Sequence, residues 1–158
     1  MLGEVSSTIG TKNILFVCGG DTCRSPMAKV ILEEKLRKMG RENELDIESA
    51  GVSPITGVST ASFESVLAMI VIYGKTDLLA DHVAKQINPE LIDKADLILV
   101  MTPYMKNGLP PEKTYALKEY AGEEGSISDP FGTDSRAYIK TAREISRLLD
   151  KIIPKLIG

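Results

Sequence analysis

Two short, unbroken apolar runs constrain the fold of this chain more than any other feature. Ile14-Leu15-Phe16-Val17 and Leu97-Ile98-Leu99-Val100-Met101 lack the alternation of a strand with one wet face. Runs of this length are expected of strands buried on both sides. Helical spacing follows the first run at Ala28, Leu32, Leu36 and Met39, with Ser25 as the expected cap, Pro26 at the first helical position and Gly40 as the stop. Leu45 to Ala50 alternates and predicts a second strand. Ser59 or Thr60 is expected to open a helix that buries Phe63, Val66, Leu67 and Ile70 and ends at Gly74. Asn88-Pro89 starts a short helix, and Thr102-Pro103 caps a segment ending at Gly108. Thr114 to Leu117 is a weak fourth strand, and residues 119–134 read as a polar, Gly-rich loop. Tyr138, Ala142, Ile145, Leu149 and Ile152 predict a last helix, closed by Pro154.

Strands that alternate with helices predict an α/β fold, a parallel sheet with helices on both faces. The length of 158 residues suits one domain over residues 12–158, with residues 1–11 as a flexible extension. In such sheets ligands bind beyond the carboxyl ends of the strands, where the strand order reverses. The turn after the first strand is therefore the natural site. Composition narrows the partners. A net charge of −3 advertises no nucleic-acid-binding face. Val66 to Tyr73 is near the longest apolar run, far short of the roughly 18 residues that span a bilayer. The stretch MLGEVSSTIGTK has no basic and apolar leader pattern, and two cysteines are too few for a disulfide scaffold, so a reducing cytoplasm is expected.

The turn itself reads FVCGGDTCRSP over residues 16–26. Gly19 and Gly20 are expected to take positive φ and turn several N–H groups inward, at the N-terminus of the following helix. Arg24 can grip two phosphate oxygens in its planar fork. Cys18 lies at the strand end, and these positive surroundings are expected to lower its pKa well below about 8.5. A thiolate at the bottom of an anion cradle is a nucleophile aimed at phosphorus. Asp129, in Ser-Asp-Pro-Phe-Gly, is the candidate acid for the leaving group, provided its pKa is raised, and Phe131 offers a flat wall. A buried-thiol reading of Cys18 and Cys23 competes, but the glycines between them and Arg-Ser-Pro after them favour chemistry. Metal binding is not expected, because only one histidine is present and further ligands are missing. No cofactor is expected.

Cys18, five residues, then Arg24-Ser25, with Asp129-Pro130-Phe131 far downstream, resembles the low-molecular-weight protein tyrosine phosphatase family over residues 12–155. Ser49-Ala50-Gly51, His82 in HVAKQ and the strand ADLILVMT fit its pattern in order. The resemblance implies a flavodoxin-like fold with four parallel strands, no metal and a phosphocysteine intermediate on phosphorylated proteins, with a monomer expected. It also implies a supporting role for Ser49 and His82, and a role for Cys23 in trapping oxidised Cys18 as a reversible disulfide. Four residues after the nucleophile stands Thr22, as in bacterial protein-arginine phosphatases, where tyrosine enzymes usually carry Ile. With one aromatic, Phe131, after the acid, this favours phosphoarginine, with phosphotyrosine as the alternative. Where the family usually has Asn, this chain has Asp21. Its carboxylate would repel a thiolate 4 to 7 Å away by about 2–4 kcal/mol at an effective dielectric of 20. A protonated His82 would offset this. A phosphoprotein-binding module disabled by Asp21 is the non-enzymatic alternative. Arsenate reduction would need a cysteine after Cys23, and a P-loop NTPase would need Lys where Arg24 stands.

Overall fold

Ile14 to Cys18 and Leu97 to Val100 are buried without interruption. The computed structural model describes residues 12–54 and 60–158. The proposed extension, residues 1–11, lies outside them. The elements in chain order are β1 (Lys12–Cys18), α1 (Arg24–Lys38), β2 (Leu45–Gly51), α2 (Phe63–Tyr73), α3 (Pro89–Lys94), β3 (Leu97–Val100), a 3-10 turn (Pro103–Lys106), β4 (Thr114–Ala116), α4 (Leu117–Tyr120) and α5 (Ser135–Ile157). The four strands are parallel in the order β2-β1-β3-β4. Phe16 of β1 lies opposite Ser49 of β2 and Leu99 of β3, and Cys18 lies opposite Gly51.

The period of two along β1 divides the core. Ile14, Phe16 and Cys18 enter the larger cluster, with Met27, Ile31 and Leu32 of α1, Ala68 and Met69 of α2, and Ile145, Leu149 and Ile152 of α5. Leu15 and Val17 enter the smaller one, with Ile98 and Val100 of β3, Met105, and the half-buried Leu91 and Ile92 of α3. This is the three-layer, flavodoxin-like arrangement expected. The chain runs from β1 to β2 on one side and returns to β3 on the other. The turn after β1 therefore sits at the switch point.

Several local expectations are corrected. The N-cap of α1 is Cys23, so Arg24 and Ser25 already lie inside the helix. Ser25 does not cap because its hydroxyl bonds to Asp21. The N-cap of α2 is Ser62, whose side chain accepts from the Ser65 N–H; Thr60 is not the cap, and Ser59 lies outside the described residues. The buried face of α2 is Ser65, Ala68 and Met69, whereas Phe63 is 69% exposed and Val66, Leu67 and Ile70 are half-buried. An almost wholly apolar helix has no polar face to mark its orientation. Residues 117–120, expected to end a strand and begin a loop, form the single turn α4. Pro154 does not close α5, which continues to Ile157. So near the C-terminus the proline removes only one intrahelical hydrogen bond.

Candidate active site

The turn after β1 is held from three sides. From β2 and just beyond it, Val52 N–H donates to Cys18 O at 3.0 Å and Ser53 N–H to Gly19 O at 2.9 Å. From α2, Ser62 N–H and the Ser65 hydroxyl both donate to Thr22 O, at 2.9 and 3.2 Å. From the segment before α3, His82 Nε2 lies 2.6 Å from Asp21 O and Lys85 N–H donates to Asp21 Oδ2 at 3.0 Å. A carbonyl only accepts, so Nε2 of His82 carries a hydrogen. Gly51 makes the close approach possible. A Cβ there would lie 2.7 Å from Gly19 O and 3.0 Å from Asp21 N.

The residue that turns the loop is not a glycine. Gly19 and Gly20 have ordinary φ, and Asp21 takes the left-handed conformation, with φ of 57°. Short polar side chains tolerate this region. The correction has a consequence, because the residue with the special backbone conformation also brings a carboxylate under the loop. Asp21 is 0% exposed. Its Oδ1 accepts from the Ser25 hydroxyl at 2.7 Å, and its Oδ2 lies 3.7 Å from His82 Nε2. Burial pushes its carboxyl pKa up, against the pull of Ser25, Lys85 N–H, His82 and Ser49.

Cys18 is 2% exposed, with Sγ 2.9 Å from Ser25 Oγ. Burial pushes its thiol pKa up; Ser25 and Arg24 oppose this, and Asp21 adds to it. The expected depression of the Cys18 pKa is thus not met. Desolvation by burial outweighs the hydrogen bonds from Ser25 and the charge of Arg24.

Arg24 is anchored rather than free. Its Nη1 donates to Thr102 Oγ1 at 2.9 Å and to Ile127 O at 2.8 Å. Its Nη2 lies 3.6 Å from Asp129 Oδ2. Its Nε is buried and meets no acceptor among the described residues, the one such side-chain atom there. A guanidinium locked at one end and unsatisfied at its edge is a prepared anion donor. It lines a cleft with Cys18, Gly19, Gly20, Thr22 and Cys23. Ser53, Asp129 and Phe131 form the rest of the wall. Asp129 stands at the mouth, its side chain 54% exposed, with Oδ1 accepting from Phe131 N–H at 3.1 Å. Phe131 is 58% exposed.

Both cysteines are free thiols. Cys23 Sγ lies 3.4 Å from Tyr138 Oη, 3.6 Å from Thr22 Oγ1 and 3.7 Å from Ser62 Oγ. Burial and the neighbouring Cys23 push the Tyr138 phenol up. The structure therefore brings together every residue singled out in the sequence around one loop, with Ser49 and His82 beneath it. Sequence reasoning missed Thr102, the Ile127 carbonyl, the Lys85 N–H and the steric demand on Gly51. Thr102 was accessible in principle, since it follows the apolar run of β3 and strand ends of such sheets carry the site. A backbone carbonyl in a polar loop leaves no sequence signal.

A buried thiol under a loop of amides, an anchored arginine and a carboxylate at the mouth define a cysteine-dependent phosphatase. The chain belongs to the low molecular weight phosphotyrosine protein phosphatase family, whose family model matches residues 13–157. It is 37% identical over 150 residues to a protein-arginine-phosphatase of Geobacillus stearothermophilus, covering 90% of this chain and 95% of that protein. The crystal structure of a low molecular weight protein tyrosine phosphatase from T. tengcongensis superposes with a TM-score of 0.83 at 39% identity, covering 92% of this chain and 99% of that one. A YwlE arginine phosphatase mutant with a phosphorylated active-site serine superposes with a TM-score of 0.79 at 30% identity, covering 91% of this chain and 95% of that one. Among the described residues no helix is long and apolar enough to cross a membrane.

Proposed function

We propose that this chain removes phosphate from phosphoarginine in proteins through a phosphocysteine at Cys18. The observation that carries the reading is Thr22, buried in the wall of the cleft beside the nucleophile. A threonine there leaves width and a hydroxyl for a planar, donor-rich guanidinium, where a larger aliphatic side chain would favour a phenyl ring. The similarity to the Geobacillus enzyme supports it. The substrate phosphate sits on the Gly19–Ser25 loop, with its charge met by loop amides, the N-terminus of α1 and Arg24. The Cys18 thiolate attacks phosphorus, the P–N bond breaks, and Asp129 gives its proton to the leaving nitrogen. Asp129 then takes a proton from water as that water attacks the phosphocysteine, releasing phosphate. Asp129 beside Arg24 is also placed to pair with the substrate cation. Phe131 lines the entrance, and Ser49 and His82 support the loop. Cys23 is the partner that traps an oxidised Cys18 as a disulfide. Two free thiols suit a reducing cytoplasm, and the chain acts as a monomer.

The test compares kcat/KM for a phosphoarginine peptide and a phosphotyrosine peptide, with Cys18→Ser as the blank. A strong preference for phosphoarginine supports the reading. A preference for phosphotyrosine, the activity in the name of the T. tengcongensis neighbour, would overturn the substrate and leave the cysteine chemistry standing. Turnover equal to the blank with both peptides would favour a phosphoprotein-binding module.

A further inference from the structure

Ser25 stands between two groups that each compete for its single hydrogen. Its Oγ lies 2.7 Å from Asp21 Oδ1 and 2.9 Å from Cys18 Sγ. A hydroxyl donates one hydrogen bond. If Asp21 and Cys18 were both ionised, one buried anion would go without that donor. The two charges, one hydroxyl apart, would also repel each other in a site with little water to screen them. The arrangement therefore favours one negative charge in the pair.

We propose that Cys18 and Asp21 share one proton through Ser25, and that the nucleophilic form of the loop is the Cys18 thiolate with Asp21 protonated on Oδ1. The transfer balances within three groups. The thiol proton moves to Ser25 Oγ as the Ser25 proton moves to Asp21 Oδ1. The chain S–H···O–H···⁻O–C becomes S⁻···H–O···H–O–C, and the total charge stays at one negative. Ser25 then donates to the thiolate, and Asp21 donates to Ser25. The other carboxyl oxygen, Oδ2, is already held by Lys85 N–H at 3.0 Å, which leaves Oδ1 for the proton. The pairing also explains how this fold accommodates a carboxylic acid under a phosphate loop, since the incoming anion meets one negative charge rather than two. Asp21 is thus a positioning residue that acts through Ser25.

The charged groups around the pair are few. Arg24 of α1 acts on Cys18, and His82 from the segment before α3 faces Asp21. From β2, Ser49 is uncharged, and Glu48 is bound by Lys85 Nζ at 2.6 Å. Burial disfavours a charge on either member of the pair and pushes both pKa values up, in keeping with one negative charge in the pair rather than two.

The inference rests on Cys18 being the nucleophile of the reaction proposed above, but its test does not use turnover. Thiolate absorbance in the ultraviolet is followed against pH in a Cys23→Ser background, so that Cys18 is the remaining thiol. The carboxylic-acid C=O stretch of Asp21 is followed in parallel by infrared difference, assigned by its loss in Asp21→Asn. Asparagine tolerates the positive φ, so this variant folds. Coupled sites titrate in steps that belong to the pair. The expected result is thiolate appearing in two steps, separated by a plateau at which the Asp21 acid band coexists with thiolate. Asp21→Asn should give one thiolate step, and Ser25→Ala should lose the plateau. An acid band that disappears before any thiolate forms would overturn the inference; thiolate that forms completely while the acid band persists is its limiting case, with the shared proton wholly on Asp21. If Asp21→Asn fails to fold, 13C-labelling of the aspartates assigns the buried acid band in wild type, and its titration against the thiolate decides the same question. Failure of the phosphoarginine assay would count against the substrate alone, because this titration does not depend on it.

Discussion

Gly51→Ala places one methyl group where β2 passes the phosphate loop. Its Cβ would meet Gly19 O at 2.7 Å, Gly20 C at 3.0 Å and Asp21 N at 3.0 Å, whereas ordinary contacts begin at 3.4 Å. All three are backbone atoms, so no side chain can swing aside. The loop is also tied to β2 through Ser53 N–H to Gly19 O and Val52 N–H to Cys18 O, and relief of the clash stretches these bonds. Overpacking of this kind costs about 1–3 kcal/mol, which for a chain of this size lowers Tm by about 3–10 °C. The catalytic effect should be larger than the stability effect implies. A shift of the loop amides by a good part of an ångström reduces kcat/KM by about 10- to 100-fold, since geometry at the reacting centre tolerates little. Thermal melts and phosphatase kinetics on the purified variant measure both. Gly19→Ala is the control for stability, because a Cβ there meets nothing within 4 Å and the φ is ordinary. If Gly51→Ala melted and turned over like wild type, the claim that this contact sets the loop would be refuted.

Arg24→Lys should lower kcat/KM by about 10²–10³-fold, because an ammonium cannot both hold Thr102 and Ile127 O and present an edge to phosphate; an unchanged kcat/KM would contradict the anchored-fork reading. Asp129→Asn should lower kcat by about 10²–10⁴-fold, with Tm unchanged because the side chain is half exposed; an unchanged kcat would refute its role as the acid. Glu34 is held at a pKa of about 2, chiefly by Arg37 Nη2 at 2.6 Å and also by Lys75 Nζ at 2.7 Å. Its folded pKa lies below the unfolded one, so its contribution is fully present above pH 4.5 and is lost as pH falls toward 2. Denaturant melts across that window should therefore show a steeper acid loss in wild type than in Glu34→Gln, and parallel curves would refute the assignment.

The apolar runs of β1 and β3 are too continuous for one wet face, and this alone implies a central parallel sheet with its site beyond the strand ends. Residue type does the same for the chemistry: a cysteine, an arginine and a loop of small residues on the turn after β1 have little other use together. What local sequence left open, tertiary contacts decided. The apolar face of α2 has no polar boundary, so only packing against α5 selected Ala68 and Met69 over Phe63. The loop turns at Asp21 rather than at its glycines because His82 and Lys85 N–H reach that residue from more than sixty residues along the chain, while Ser25, in the first turn of α1, holds its carboxylate. The direction of the Cys18 pKa was decided by depth of burial, which no spacing of residues encodes. Sequence by itself determined which groups could do the reaction and on which turn they lie. Only the folded structure determined how far each is from water and from its neighbours, because desolvation and hydrogen-bond competition depend on segments brought together from far along the chain.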